Sequence, residues 1–180
     1  TGAEAAQRVL AANGVRGVRI DRVSGNLTDH FDPKPNVIRL SDSVYDSTST
    51  AAIGVACHEA GHAIQYAENY APIKMRAAII PITNIGSRLA VPLIILGLVL
   101  CAMEPSWIGI SYLGTACLGL SSVFQLLTLP TEFNASNRAI AAIENSNLLM
   151  NEELTGAKKV LKAAALTYVA ALAVSLMQLL

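Results

Sequence analysis

Charge is scarce in this chain: charged side chains make up 14% of 180 residues, 13 basic against 13 acidic, for no net charge. Aromatics are scarcer still, at 5%. Without a basic stripe interleaved with stacking rings, nucleic acid is excluded as a partner. Cysteine occurs three times, at Cys57, Cys101 and Cys117, and two of these lie in apolar runs. An odd, buried-looking set excludes a disulfide framework and reads as small core residues. What fills the space left by charge is hydrophobicity, at 53% of residues with a mean hydropathy of +0.46. That is too apolar for a soluble globular domain and calls for membrane spans.

Residues 108–129 hold no charge, long enough to cross a bilayer as a helix. Residues 77–103 are apolar apart from Thr83, Asn84, Ser87 and Arg88. The uncharged part, 89–103, is shorter than the ~20 residues a span requires, so the span must start earlier and carry Arg88 near its entrance. There Arg88 either snorkels to a headgroup or faces protein. Glu104-Pro105-Ser106 turns the chain, and Trp107 suits an interfacial anchor. After Lys158, Lys159 and Lys162 the chain is apolar from 163 to its last residue, a third span or membrane-embedded tail.

Histidine is equally sparse, yet two of the three histidines stand four apart in His58-Glu59-Ala60-Gly61-His62. On a helix, residues four apart lie one turn above one another, so both imidazoles face one point. That arrangement suits a zinc ion, with Glu59 one step round as general base for an attacking water. Ser47-Thr48-Ser49-Thr50 supplies N-caps for this helix, which is expected to run to Tyr66 or Asn69. Its flanks of Ala, Ile, Val and Gly give the three polar side chains no local partners, and a cation would supply one.

A catalytic zinc takes three protein ligands. The third histidine, His30, lies in the polar connection Leu27-Thr28-Asp29-His30-Phe31-Asp32-Pro33. It can border a cleft and stabilise an oxyanion, or be a plain loop histidine. The better third ligand is Glu132 in Leu129-Pro130-Thr131-Glu132-Phe133-Asn134-Ala135-Ser136. Pro130 is expected to open a new helix with Thr131 near its N-cap, putting Glu132 in the first turn, where an acid also suits the helix dipole. A hairpin of two spans that leaves after Arg76 and turns at Glu104-Pro105 comes back to the starting side at Glu132, which favours it as ligand. Lys74, Arg76, Arg88, Arg138, Lys158, Lys159 and Lys162 cluster on that side, which the positive-inside rule makes cytoplasmic.

Before the zinc helix, Thr1-Gly2-Ala3-Glu4 has capping-box spacing for a helix to Ala12 that Asn13-Gly14 stops. Residues 15–23 and 36–40 read as two strands forming a small hairpin or sheet edge. The expected fold is therefore mainly α and membrane-bound: a small α+β catalytic part (helix, β hairpin, H-E-x-x-H helix) joined to a transmembrane hairpin and a C-terminal membrane helix. It forms one domain over 1–180, divided at 1–72, 77–129, 130–150 and 152–180.

Three segments, Ala56-Cys57-His58-Glu59-Ala60-Gly61-His62-Ala63-Ile64-Gln65, residues 27–33 with Leu40-Ser41, and 129–136, together resemble the YugP-type neutral zinc metallopeptidases, bacterial membrane proteins. More distantly, Glu132-Phe133-Asn134-Ala135 is similar to the third-ligand motif of gluzincin membrane proteases such as HtpX and the CAAX prenyl proteases. The resemblance implies a zincin-like catalytic part with one zinc ion held by His58, His62 and Glu132, and Glu59 as base. It also implies that Thr1 follows an N-terminal transmembrane helix. The chain departs from those distant proteases at Ser136, where they carry an aspartate that orients a zinc histidine; Ser136 or Asn134 can substitute weakly. The expected activity is a zinc endopeptidase of the plasma membrane, acting on a polypeptide drawn from membrane proteins or membrane-associated peptides. An intramembrane protease with an aspartate ligand is disfavoured, because no aspartate follows Asp46. A degenerate protease-like scaffold that binds other membrane proteins is the remaining alternative.

Overall fold

In the computed structural model, which describes residues 1–179, the chain forms two compact units. One is Thr1–Ala71 with Thr131–Leu166, the other Pro72–Pro130 with Thr167–Leu180. The first opens with α1 (Gly2–Ala12), whose N-terminus is closed by the Thr1 and Glu4 capping box. Gly14, at φ +68°, takes the left-handed conformation that ends it.

Gly17, at φ +78°, then interrupts the alternating stretch, so the first strand is shorter than the sequence pattern implies: β1 spans Arg19–Val23. Next come β2 (His30–Asp32) and β3 (Val37–Ser41). The sheet order is β1-β3-β2, with β1 parallel and β2 antiparallel to β3. This corrects two expectations. Residues 27–33 are more than a connection, since they supply β2, and the hairpin joins β2 to β3 rather than β1 to β3. The cause lies in burial: β3 carries Val37, Ile38 and Leu40, all fully buried, and the most apolar strand takes the centre of the sheet.

A single-turn α2 (Asp42–Tyr45) leads to α3 (Thr50–Ala67), capped by Ser49, whose hydroxyl accepts the Ala52 amide. The core of this unit packs Val9 and Leu10 of α1 and Ile38 and Leu40 of β3 with Ala56, Ala60 and Ile64 of α3. Ala139, Ile143, Ala157 and Leu161 from the following helices complete it. Burying each large aliphatic here contributes roughly 1.5–3 kcal/mol.

In the second unit, α4 (Ala71–Met103) is a 33-residue helix with Pro81 and Pro92 inside it. A 3-10 turn, Pro105–Trp107, leads to α5 (Ile108–Asn145), which belongs to this unit as far as Pro130 and to the first unit from Thr131. Here α4 and α5 approach closely: a Cβ on Gly97 would meet the Ser111 backbone at 2.3 Å, and one on Gly114 the Ala90 carbonyl at 2.7 Å. Ser111 donates its hydroxyl hydrogen to the Ile94 carbonyl across this contact. Small residues that let backbones touch are the usual device of helix association in lipid. α6 (Asn151–Met177) is the third helix long and apolar enough to cross a membrane. Among the described residues the fold is thus mainly helical, with three such helices and a three-stranded sheet.

One boundary differs from the sequence reading. Pro130 does not open a new helix; it lies inside α5, which runs on through it to Asn145. Glu132 therefore lies mid-helix and owes nothing to a first-turn dipole. A proline removes one backbone hydrogen bond, a loss that membrane helices tolerate when neighbouring groups take over the freed backbone.

Candidate metal centre

α3 presents His58, Gly61, His62 and Gln65 along one stripe, the i, i+3, i+4, i+7 positions that share a helix face. The 131–143 part of α5 lies against that stripe. Contact is backbone to backbone at Gly61, where an added Cβ would stand 2.7 Å from the Ala135 carbonyl oxygen. The small residue between the two histidines is what lets Glu132 and Ser136, one helical turn apart, reach them.

Glu132, 1% exposed, places Oε2 3.2 Å from His58 Nε2 and 3.5 Å from His62 Nε2. The two imidazoles meet edge to face with centroids 4.7 Å apart. The ligand atoms of His58, His62 and Glu132 all fall within 4.8 Å of one another. Zinc bonds of 2.0–2.2 Å in a tetrahedron put neighbouring ligand atoms about 3.4 Å apart, so the two histidine-to-glutamate separations match that geometry.

The far nitrogen of each ring is also engaged. Ser136 Oγ lies 3.2 Å from His58 Nδ1. His62 Nδ1 donates to Gln65 Oε1 at 2.9 Å. A neutral His62 protonated there turns its bare Nε2 toward the Glu132 carboxylate, two acceptors that a metal ion between them would satisfy, as a proton would. The donor set therefore fits a divalent cation. The same conflict acts on the titration of His62. Burial alone would lower its pKa, but the Glu132 hydrogen bond and the charges of Glu59 and Glu132, with help from Gln65, outweigh burial and raise it. Glu59 is itself buried, at 9% exposure.

Around the group, Gln65 donates through Nε2 to the Thr131 carbonyl at 2.8 Å and to Asn134 Oδ1 at 2.9 Å. Arg138 Nε donates to the same Asn134 oxygen at 2.7 Å, and the Arg138 guanidinium pairs with Glu68 at 2.7 Å. Asn134 thus reaches His62 only through Gln65, whereas Ser136 touches His58 directly. Cys57, next to His58, is fully buried, desolvation pushes its thiol up to about 12, and it is not among the residues of the His58, His62 and Glu132 group.

His30 is not part of the His58, His62 and Glu132 group. It is exposed on β2, where Nδ1 donates to the Thr28 carbonyl at 2.7 Å and Nε2 lies 3.4 Å from Arg39. Two residues that sequence reasoning did not single out matter here, Gly61 and Gln65. The available signal for Gln65 was a lone amide, three residues after His62, on the apolar side of a helix.

A family model described as "Putative neutral zinc metallopeptidase" matches residues 1–180. The chain is also 46% identical over 180 residues to a protein of Bacillus subtilis (strain 168) named "Putative membrane protease YugP", an alignment that covers all of this chain and 78% of that one. No solved structure matches the chain. With the family model covering every residue, and with a two-histidine, one-glutamate group, His62 and Glu132 buried and His58 half-buried, able to hold a metal ion, the chain belongs to the neutral zinc metallopeptidase family.

Proposed function

We propose that this chain is a membrane-embedded, zinc-dependent endopeptidase in which His58, His62 and Glu132 hold the metal and Glu59 is the general base. The observation that carries this reading is the convergence of both Nε2 atoms on one buried carboxylate oxygen at separations suited to tetrahedral zinc. When bound, the cation supplies Lewis acidity to the scissile carbonyl and makes the attacking water more acidic. Glu59 follows His58 directly on the same helix, is buried, and its charge helps to raise the His62 pKa, which supports a place for it beside the group. It takes the proton from the attacking water and passes it to the leaving amine.

His30 is the proposed oxyanion donor. That role needs the Nδ1 hydrogen released from the Thr28 carbonyl, since Nε2 faces the Arg39 guanidinium. The substrate is a polypeptide, drawn from membrane proteins or membrane-bound peptides, and the surrounding partner is the lipid bilayer. Three apolar helices support a multi-pass protein, and the lysines and arginines flanking them support a plasma-membrane site facing the cytoplasm.

The test uses the full chain in detergent with an unfolded casein-type substrate. Cleavage is expected to stop with a chelator and return with zinc. Glu59→Gln is expected to keep zinc and lose about 10²–10⁴-fold in turnover. Hydrolysis retained by metal-loaded Glu59→Gln removes the base assignment, and zinc stoichiometry unchanged in Glu132→Ala removes the third ligand. A wild-type protein that binds zinc but cleaves nothing favours the scaffold reading.

A further inference from the structure

The two histidines of the metal group are held from behind in unlike ways. Ser136, behind His58, has a hydroxyl that can donate or accept, so it dictates nothing about where the His58 proton sits. Behind His62 the partner is Gln65, fully buried, and each atom of its amide is committed. Its Nε2 faces the Thr131 carbonyl, which can only accept, so this end of the amide must be the NH₂ group. Its second hydrogen goes to Asn134 Oδ1, and that oxygen is identified in turn by Arg138 Nε, which can only donate. Arg138 is anchored by Glu68. Direction therefore propagates from a surface ion pair inward through Arg138, Asn134 and Gln65, with no link free to reverse. The end of the chain is Gln65 Oε1, a pure acceptor, 2.9 Å from His62 Nδ1.

We propose that Gln65 is a positioning residue that fixes His62 in its Nδ1–H tautomer, so that His62 always offers the metal group its Nε2. The assignment rests on the metal reading above and adds to it the residue that prepares the ligand before any ion arrives. The same side chain pins the Thr131 carbonyl, and Thr131 precedes Glu132. That bond anchors the amide, while the tautomer is set by its other end, Oε1, against His62 Nδ1. Hydrogen-bonded partners of this kind typically change metal affinity by about 10–100-fold when removed.

The experiment uses the full chain in detergent. Zinc affinity is measured by competition with a chromophoric chelator, and cobalt is substituted for zinc to record the visible spectrum. Gln65→Met, which has similar length and no acceptor for the imidazole, is expected to bind zinc about 10–100-fold more weakly and to alter the cobalt bands. Gln65→Glu keeps an oxygen opposite Nδ1 while facing the Thr131 carbonyl with a second one. It is expected to melt at a lower temperature, yet hold zinc within about threefold of wild type. Affinity in Gln65→Met equal to wild type overturns the proposal, and so does an equal loss in both variants, which marks a purely structural role. Should Gln65→Met fail to fold, nitrogen NMR of isotopically labelled histidine in the metal-free wild type, above the His62 pKa, decides the matter. A proton on Nδ1 is expected, and a proton on Nε2 overturns the proposal. A wild type that binds neither zinc nor cobalt defeats the metal reading instead, and the NMR tautomer still tests Gln65.

Discussion

At Gly61 the two helices that carry His58, His62 and Glu132 meet without a side chain between them. Gly61→Ala would set a methyl 2.7 Å from the Ala135 carbonyl oxygen, and that oxygen is backbone, so a whole helix segment has to move. The expected cost is about 1–3 kcal/mol of stability. Zinc affinity should fall at least about tenfold, because Glu132 and Ser136 ride on the displaced segment. Unchanged affinity in a chelator competition would show that the contact is not needed. His62 yields a second prediction. Its folded pKa is raised, so in the zinc-free protein its stabilising contribution is fully present below its unfolded value of about 6.5 and is lost as pH rises through the folded value. Zinc must displace that proton, so the stabilisation due to zinc runs the opposite way. The difference in melting temperature between zinc-loaded and chelated protein should therefore widen from pH 6 upward, and a pH-independent difference would place the competing proton elsewhere. Residues as local as His58 and His62 could be read from spacing alone. Gln65 could not, since its role depends on Thr131 and Asn134, which are remote in sequence and reach it only through the packing of α5 on α3.

Among the elements, α3 was readable because its determinants are contiguous: a Ser/Thr cluster to cap it and an apolar run to bury it. Ser49 is the residue that caps. Ser49→Ala is expected to cost about 1 kcal/mol in thermal or denaturant unfolding while leaving zinc affinity unaltered, because the cap lies at the far end of the helix from His62. A loss of zinc without a loss of stability would contradict that separation. The sheet was less readable. Alternation identifies strands but not partners, and the chain uses His30, Phe31 and Asp32, only three residues, to build the edge strand that makes β1 and β3 parallel neighbours. Pro130 misled for a different reason. Proline ends helices whose freed backbone must face water, whereas α5 carries its proline inside a 38-residue helix. Glu132 was reached from the requirement that two spans return the chain to its starting side, an argument that does not depend on the helix boundary.

For the molecule as a whole, the group of His58, His62 and Glu132 falls entirely within the unit made of Thr1–Ala71 and Thr131–Leu166, although its members are separated in sequence by the apolar hairpin. A cation there ties α3 to α5 inside one unit, and its binding energy should appear as protection of that unit. At zinc a thousandfold above its dissociation constant the stabilisation is about 4 kcal/mol, or about a thousandfold slower exchange for amides that exchange only when the unit opens. Hydrogen exchange should therefore slow on zinc addition in α3 and in residues 131–143, while the packed contact of Gly97 and Gly114 in the other unit, built on backbone proximity rather than on a ligand, changes little. Equal slowing in both units would mean that they open together. No slowing in α3 would mean that the ion sits somewhere other than between His58, His62 and Glu132.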